Sequence, residues 1–329
     1  MKNLTKKAEI VTYHNDLNKL NLSSLSAVQH NILMKLLLKY KDKGDETFYF
    51  NLKDFEKLIG VSSNRTINEI QLIGYEFFMD LFKIDYSPIM PADAYYEEHI
   101  NLFDNIRFYY DQKIDYIKTL PKNERISHLK AFEIGFSKTF QYIINQNFEN
   151  YTSHELGEFI SLKRVGAKIL YKLLKQNQHY GKLEIEWLEY CRLNGYLDTN
   201  TLKLKKAVGD IGKEFAKDIN EIQNLRSVFG DETFKDLKMT KIYKGLDTGK
   251  GGKTIDSLFF EFKARKRRNK TLANTLYNIK NEVESLAGYE VKTHIIPKKI
   301  IVNNTPKNQS PILRALAGCI EQLRAQACE

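Results

Sequence analysis

Cysteine, proline and long apolar runs are all scarce in this chain of 329 residues. The three cysteines, Cys191, Cys319 and Cys328, form no C-x-x-C pair and no even disulfide framework, which points to a reducing compartment. No apolar run approaches the roughly 18 residues of a membrane helix, and no apolar core follows the opening M-K-N-L-T-K-K. A soluble, cytoplasmic protein is therefore expected. The seven histidines include no H-x-H pair, and G-x-S-x-G, H-E-x-x-H and zinc-ligand spacings are missing. A metal centre, a cofactor and a catalytic site are thus not expected. A nucleotide loop nearly forms at Gly252-Lys253-Thr254, but Asp247 occupies its first glycine position. The strand-like run I-D-S-L-F-F-E-F then follows where such a loop requires a helix.

What the chain does hold is a pattern written twice. I-L-M-K-L-L begins at Ile32 and I-L-Y-K-L-L at Ile169. Each leads to a glycine at the same distance (Gly44, Gly181), a short alternating run, and a helix-like stretch closing in L-I-G (Leu58 to Gly60) or L-N-G (Leu193 to Gly195). Phe50, Leu52, Phe55 and Leu58 of the first copy match Ile185, Trp187, Tyr190 and Leu193 of the second. Both the length and a repeat this long argue for two domains of one type, not for a solenoid.

Periodicity predicts a helix over 25–41 with Ser26 as N-cap, a strand over 47–51, and a helix over 52–59 closed by Gly60. A long apolar helix over about 65–82, capped by S-S-N-R, and strands near 100–110 and 131–136 joined by a turn at 121–125 complete the first copy. The second copy is expected as a helix over 155–176, a strand over 182–185, helices over 186–193 and 200–222, and a hairpin of strands near 237–243 and 254–263. Helix, strand, helix, helix and hairpin is the order of a winged helix-turn-helix. The expected fold is α+β, two tandem winged helix-turn-helix domains related by internal duplication, over 10–150 and 151–270, with a tail of unassigned role over 271–329.

Charge separates the copies. The chain carries a net +10, and residues 199–270 alone hold 18 Lys and Arg against 10 Asp and Glu, a net of +8. Over 200–222, Leu204, Val208, Ile211, Phe215, Ile219 and Ile222 share one helical face, and Lys206, Lys213 and Lys217 share the opposite one with Lys203 and Lys205 beside them. An amphipathic helix with a solvated face would show the same pattern. Its place as third helix of a helix-turn-helix, where the recognition helix enters the major groove, favours DNA reading. Lys250 and Lys253 in the glycine-rich hairpin tip, and Arg265, Arg267 and Arg268 in K-A-R-K-R-R-N-K, suit phosphate contact.

Three stretches carry a likeness. V-T-Y-H-N-D-L-N-K-L-N-L-S-S-L-S-A-V-Q-H-N-I-L, I-S-L-K-R-V-G-A-K-I-L-Y-K-L-L-K-Q and K-E-F-A-K-D-I-N-E-I, in this order and spacing, resemble the initiator proteins of iteron-type plasmids over about residues 10–265. The resemblance implies a protein that binds iterons at the plasmid origin, promotes opening of AT-rich DNA and recruits host replication proteins (initiator and helicase). It also implies repression of its own gene, and so copy number control, by a dimer joined largely through the first domain. Phe77, Phe78, Leu81 and Phe82, crowded at the end of the helix over 65–82, are the candidate dimer interface, with packing inside their own domain as the equal alternative. A winged-helix repressor without initiator activity would share all these features.

Overall fold

The computed structural model describes residues 8–41, 43, 47–60, 65–86, 100–101, 103–145, 150–198, 201–227, 230–244, 254–265, 294–296 and 299–301. In chain order the elements are β1 (Ile10–His14), a 3-10 turn (Asn15–Lys19), α1 (Ala27–Tyr40), β2 (Thr47–Asn51), α2 (Leu52–Ile59), α3 (Ile67–Phe82), β3 (Asp85–Tyr86) and β4 (Ile100–Asn101). There follow β5 (Phe103–Tyr110), α4 (Ile114–Thr119), α5 (Lys122–Ser127), β6 (Leu129–Phe136), α6 (Lys138–Asn145), β7 (Tyr151–Glu155), α7 (Leu156–Ser161) and α8 (Val165–Gln176). Next come β8 (Lys182–Glu186), α9 (Trp187–Leu193), α10 (Val208–Gln223), β9 (Lys238–Lys244) and β10 (Thr254–Glu261). One compact unit ends at Arg267; of a second, from Arg268 onward, the structure describes only the hairpin β11 (His294–Ile296) and β12 (Lys299–Ile301).

The first sheet has the antiparallel order β2-β6-β5. T-F-Y-F-N alternates buried and exposed positions, as a strand with one wet face must. Its buried Phe50 lies opposite Phe132, which also faces Phe108 across the other pairing. Phe55 of α2 and Phe77 and Phe78 of α3 close over Phe132, with the Phe55 and Phe78 rings 4.9 and 5.1 Å from it. A capping box between Ser26 and Gln29 starts α1. Thr66 and Glu69 make the same box at α3, so Thr66 replaces the expected S-S-N-R cap, most of which falls outside the described residues. Gly60 ends α2 at φ +67° and Gly195 stands just past α9 at +69°, a left-handed position that glycine occupies without Cβ strain. Between β5 and β6, the expected turn over 121–125 is built instead from α4 and α5.

The second sheet, β8-β10-β9, repeats this order, with the last strand in the middle. Ile185 faces Leu258 and Leu183 faces Phe260, beneath Trp187 and Tyr190 of α9 and Phe215 of α10. The matched order supports the reading of a duplication. The expected helix over 155–176 is two helices parted by an extended break, and its first residue, Glu155, ends a strand. Residues 151–155 are drawn into β7 by pairing with β1, Val11 opposite His154, and the chain runs extended at Leu162 and Arg164 before α8 begins. The expected boundary near residue 150 therefore lies just before a strand whose partner is at residues 10–14. Asn18 reinforces this junction, its Nδ2 donating to Thr152 Oγ1 and Gln176 Oε1 at 2.9 Å each.

No residue of α8 is exposed, so its lysines are buried with the rest. Lys175 pairs with Glu158 at 2.7 Å, and Glu158 also accepts from the Tyr171 and Thr233 hydroxyls. Lys168 donates to Asn31 Oδ1 and the Phe159 carbonyl. Lys172 has no ion pair among the described residues, and burial brings both it and Lys168 down to about 7. Burial, with the neighbouring lysines, also holds the His30 and His154 imidazoles well below their ordinary value. Below pH 7 the folded state bears the full cost of two buried ammonium groups; above the ordinary lysine value neither state is charged and the cost is gone. Stability should accordingly rise from pH 7 towards 10. Lys172→Met should flatten that rise and add about 1–3 kcal/mol at pH 7 in urea titrations. A stability that falls over this range, equally in both proteins, would show that Lys172 is not held neutral by burial.

Candidate nucleic-acid interface

Helix α10 begins at Val208, later than the sequence pattern suggests. Leu197 and Leu204 form an antiparallel bridge, with Asp198 N donating to Lys203 O and Lys205 N to Tyr196 O. Leu202 reverses the chain at φ +54°, a left-handed conformation costly for a branched side chain. Lys203, Lys205 and Lys206 are thus exposed in the lead-in to the helix, not on it, and Lys206 sits over the Tyr196 ring at 5.2 Å. Leu204 is half-buried and Val208 is 46% exposed, so the inward stripe starts at Ile211 and continues through Phe215, Ile219 and Ile222.

On the outer face Lys213 and Lys217 are exposed as expected. Each is paired within the helix, Lys213 with Asp210 and Lys217 with Glu214, both at 3.0 Å. Such i,i+3 surface pairs are worth about 0–1 kcal/mol and exchange readily for another anion. Ala207, the residue before the helix, provides no side-chain cap, which leaves the first-turn N–H groups without that partner. Arg265 is exposed and tied to the body, its Nη2 donating to the Glu232 carbonyl. Lys250, Lys253, Arg267 and Arg268 lie outside the described residues.

The sequence marks the hairpin after α10 as basic without singling out its β9 lysines, and it does not reveal a second group. Strand β9 presents Lys238 and Lys244 beside exposed Ile242 and Tyr243, making the wing basic along its length as well as at its tip. A recess of about 790 Å³ beside α10 is lined by Lys163, Lys217 and Arg226 among others. The K-M-T-K-I-Y-K spacing was a visible signal for the first; the second joins residues too distant in sequence to be seen.

The corresponding helix of the first copy, α3, has no basic residue among its 16 and exposes Asn68, Glu69, Leu72 and Glu76. Three of its four candidate interface residues turn inward: Phe77, Phe78 and Leu81 are fully buried in their own domain's core, leaving Phe82, 49% exposed, on the surface. The crowding comes from the need to cover β6, where Phe132 alone meets Phe55, Phe78 and Phe108.

Two sheets in winged order, the second with exposed lysines on and just before its third helix, define a winged-helix class, and comparison with known proteins narrows it. Residues 10–175 match the family model "Initiator Replication protein, WH1", and the chain belongs to this family. It is 23% identical over 185 residues to the "Probable replication protein rep" of Bifidobacterium longum (strain NCC 2705), a match that spans 56% of each protein. Its fold is similar to that of the Pi initiator protein, solved in complex with iteron DNA, with a TM-score of 0.51 and 17% identity over 79% of this chain and 99% of that one.

If the outer face of α10 and its lead-in lie on DNA, Lys206→Ala, Lys213→Ala and Lys217→Ala together should weaken binding by roughly 1 kcal/mol per side chain at low salt. The slope of log affinity against log salt should fall by about 0.9 for each phosphate no longer neutralised. Fluorescence anisotropy at several salt concentrations measures both. Wild-type affinity with an unchanged slope would remove this face from the interface.

Proposed function

We propose that this protein is a plasmid replication initiator that binds tandem iteron repeats at its origin, promotes opening of adjacent AT-rich DNA and recruits host replication proteins. The observation that carries this reading is the set of exposed lysines on the outer face and in the lead-in of the third helix of the second winged fold, in a chain of the initiator family. In this reading α10 reads bases in the major groove. The lysines of the lead-in, β9 and the hairpin tip hold phosphates, which contribute affinity without sequence. The test pairs footprinting with replication. The protein should protect tandem repeats of about 20 base pairs, each near two turns of duplex and so addressable from one face, in DNA flanking its own gene. That segment with the gene should also sustain a plasmid lacking any other origin. Protection of a promoter without replication would make the protein a winged-helix repressor instead.

We further propose that the first domain supplies the self-association by which a dimer represses the gene while monomers bind iterons. The inward turn of Phe77, Phe78 and Leu81 leaves Phe82 as the aromatic from that helix end able to meet a second copy. Phe82→Ser should stay folded by circular dichroism and move the sedimentation equilibrium towards monomer. A folded variant that dimerises as tightly as wild type would clear Phe82 of that role.

A further inference from the structure

Helix α10 is more acidic than its role suggests: between Val208 and Gln223 it has Asp210, Glu214, Asp218 and Glu221 against only Lys213 and Lys217. Three of these carboxylates, at positions 214, 218 and 221, fall on the side that meets the start of α8. There Arg164, the N-cap residue of α8, extends a forked guanidinium. Its Nε donates to Asp218 Oδ1 at 2.6 Å and its Nη2 to Glu214 Oε2 at 2.5 Å. The Glu221 carboxylate accepts from the backbone N–H groups of Lys163 and Arg164, capping in trans a helix whose own N-cap side chain provides no cap. Asp218 is buried, and its Oδ2 has no hydrogen-bond partner. It reaches this position because residue 166 is glycine: a Cβ there would lie 2.1 Å from Oδ2.

We propose that Arg164 is a positioning residue for DNA recognition, its fork on Glu214 and Asp218 fixing the seat of α10 on α8 and drawing those two carboxylates towards α8. The inference rests on the initiator reading above and adds to it the device that sets the pose of the reading helix. The chemistry suits the task. A planar guanidinium holds two carboxylates in fixed directions, as a lysine ammonium cannot, and charge-assisted bonds at a partly buried site are short and directional. Burial alone would lower the Arg164 guanidinium; the bonds from Glu214 and Asp218 outweigh it and hold the group above its ordinary value. Glu214, bonded to Arg164 and then Lys217, is held down to about 2. Burial raises Asp218, against the pull of Arg164. Both members of the Arg164–Glu214 pair therefore stay charged across the physiological range.

Two variants of the full chain test this, each checked for folding by circular dichroism. Arg164→Lys keeps the charge and removes the fork; Gly166→Ala keeps every charge and pushes Asp218 off its seat. The probes are the duplex that the wild-type protein enriches from a random-sequence pool and an unrelated duplex of equal length. For both variants, affinity for the selected duplex should fall about tenfold, with affinity for the unrelated duplex and the salt slope unchanged. Amides of α10 should exchange faster in the free protein, while those of β8 and β10 keep their protection. Equal losses on both duplexes for Arg164→Lys, with a lower salt slope and unaltered exchange, would make Arg164 a phosphate contact and overturn the proposal. So would wild-type selectivity in a folded Gly166→Ala protein, which decides the matter should Arg164→Lys fail to fold. A wild-type protein that enriches no duplex would sink the initiator reading and the DNA role of the fork together. A wild-type protein that selects a duplex no better than its variants do would sink the fork alone.

Discussion

Helix α8 exposes no residue, and the rest of the main unit depends on how that is tolerated. An apolar helix would meet the condition easily. This one places Lys168, Lys172 and Lys175 among its eight buried residues. Each cation is dealt with differently: Lys175 by a carboxylate with two further donors, Lys168 by an amide and a carbonyl, Lys172 by the low cost of its neutral form. Those solutions reach outward. Asn31 belongs to α1 of the first copy, Glu158 to α7, and Thr233 to the segment before β9. Burying one helix therefore ties the first copy's opening helix to the second copy's sheet.

The same helix sets where recognition can occur. Its N-terminal end holds α10 through Arg164 and is in turn capped by Glu221, while its C-terminal end is tied to Asn18 through Gln176. Pairing of β1 with β7 closes the arrangement, joining the first described residues of the chain to the strand that precedes α7 and α8. Residues 10–14 and 151–155 thus act together despite their separation in sequence, and the two winged folds are not beads on a flexible string.

How much of this could be read from the sequence follows from which interactions are local. β2 and α2 were legible to the residue, because the alternation and Gly60 lie within one short window. The break at residues 162–164 was not: apolar spacing continues across it, and only the distant β1, by pairing with β7, shows that the segment before α7 is strand. The late start of α10 escaped for a related reason. Leu204 and Val208 continue the helical period, yet the bridge between Leu197 and Leu204 bends the chain there. Buried lysines are the hardest case, since nothing local distinguishes Lys172 from a lysine on a solvated face. The exposed outer-face positions of Lys213 and Lys217 followed from helical spacing, while Arg164 and its acids, about 50 residues apart, were invisible to it.

The charge pattern of α10 then has a physical reading that neither net charge nor helical period supplies. A reading helix with more acids than bases would repel DNA if all its side chains faced outward. Three of the four acids are instead bonded to α8 and the residues before it, through a guanidinium and backbone N–H groups, where they hold the helix in place. The lysines keep only weak partners on the outer face, from which a phosphate can displace them at little cost. In the proposed role, sequence-independent attraction is thereby limited on α10 itself and supplied mainly by its neighbours, the exposed lead-in lysines and β9. A helix arranged in this way contributes less to indiscriminate binding than a uniformly basic one would. In the proposed role its share of the binding free energy would come through base contacts, which depend on the position that α8 imposes.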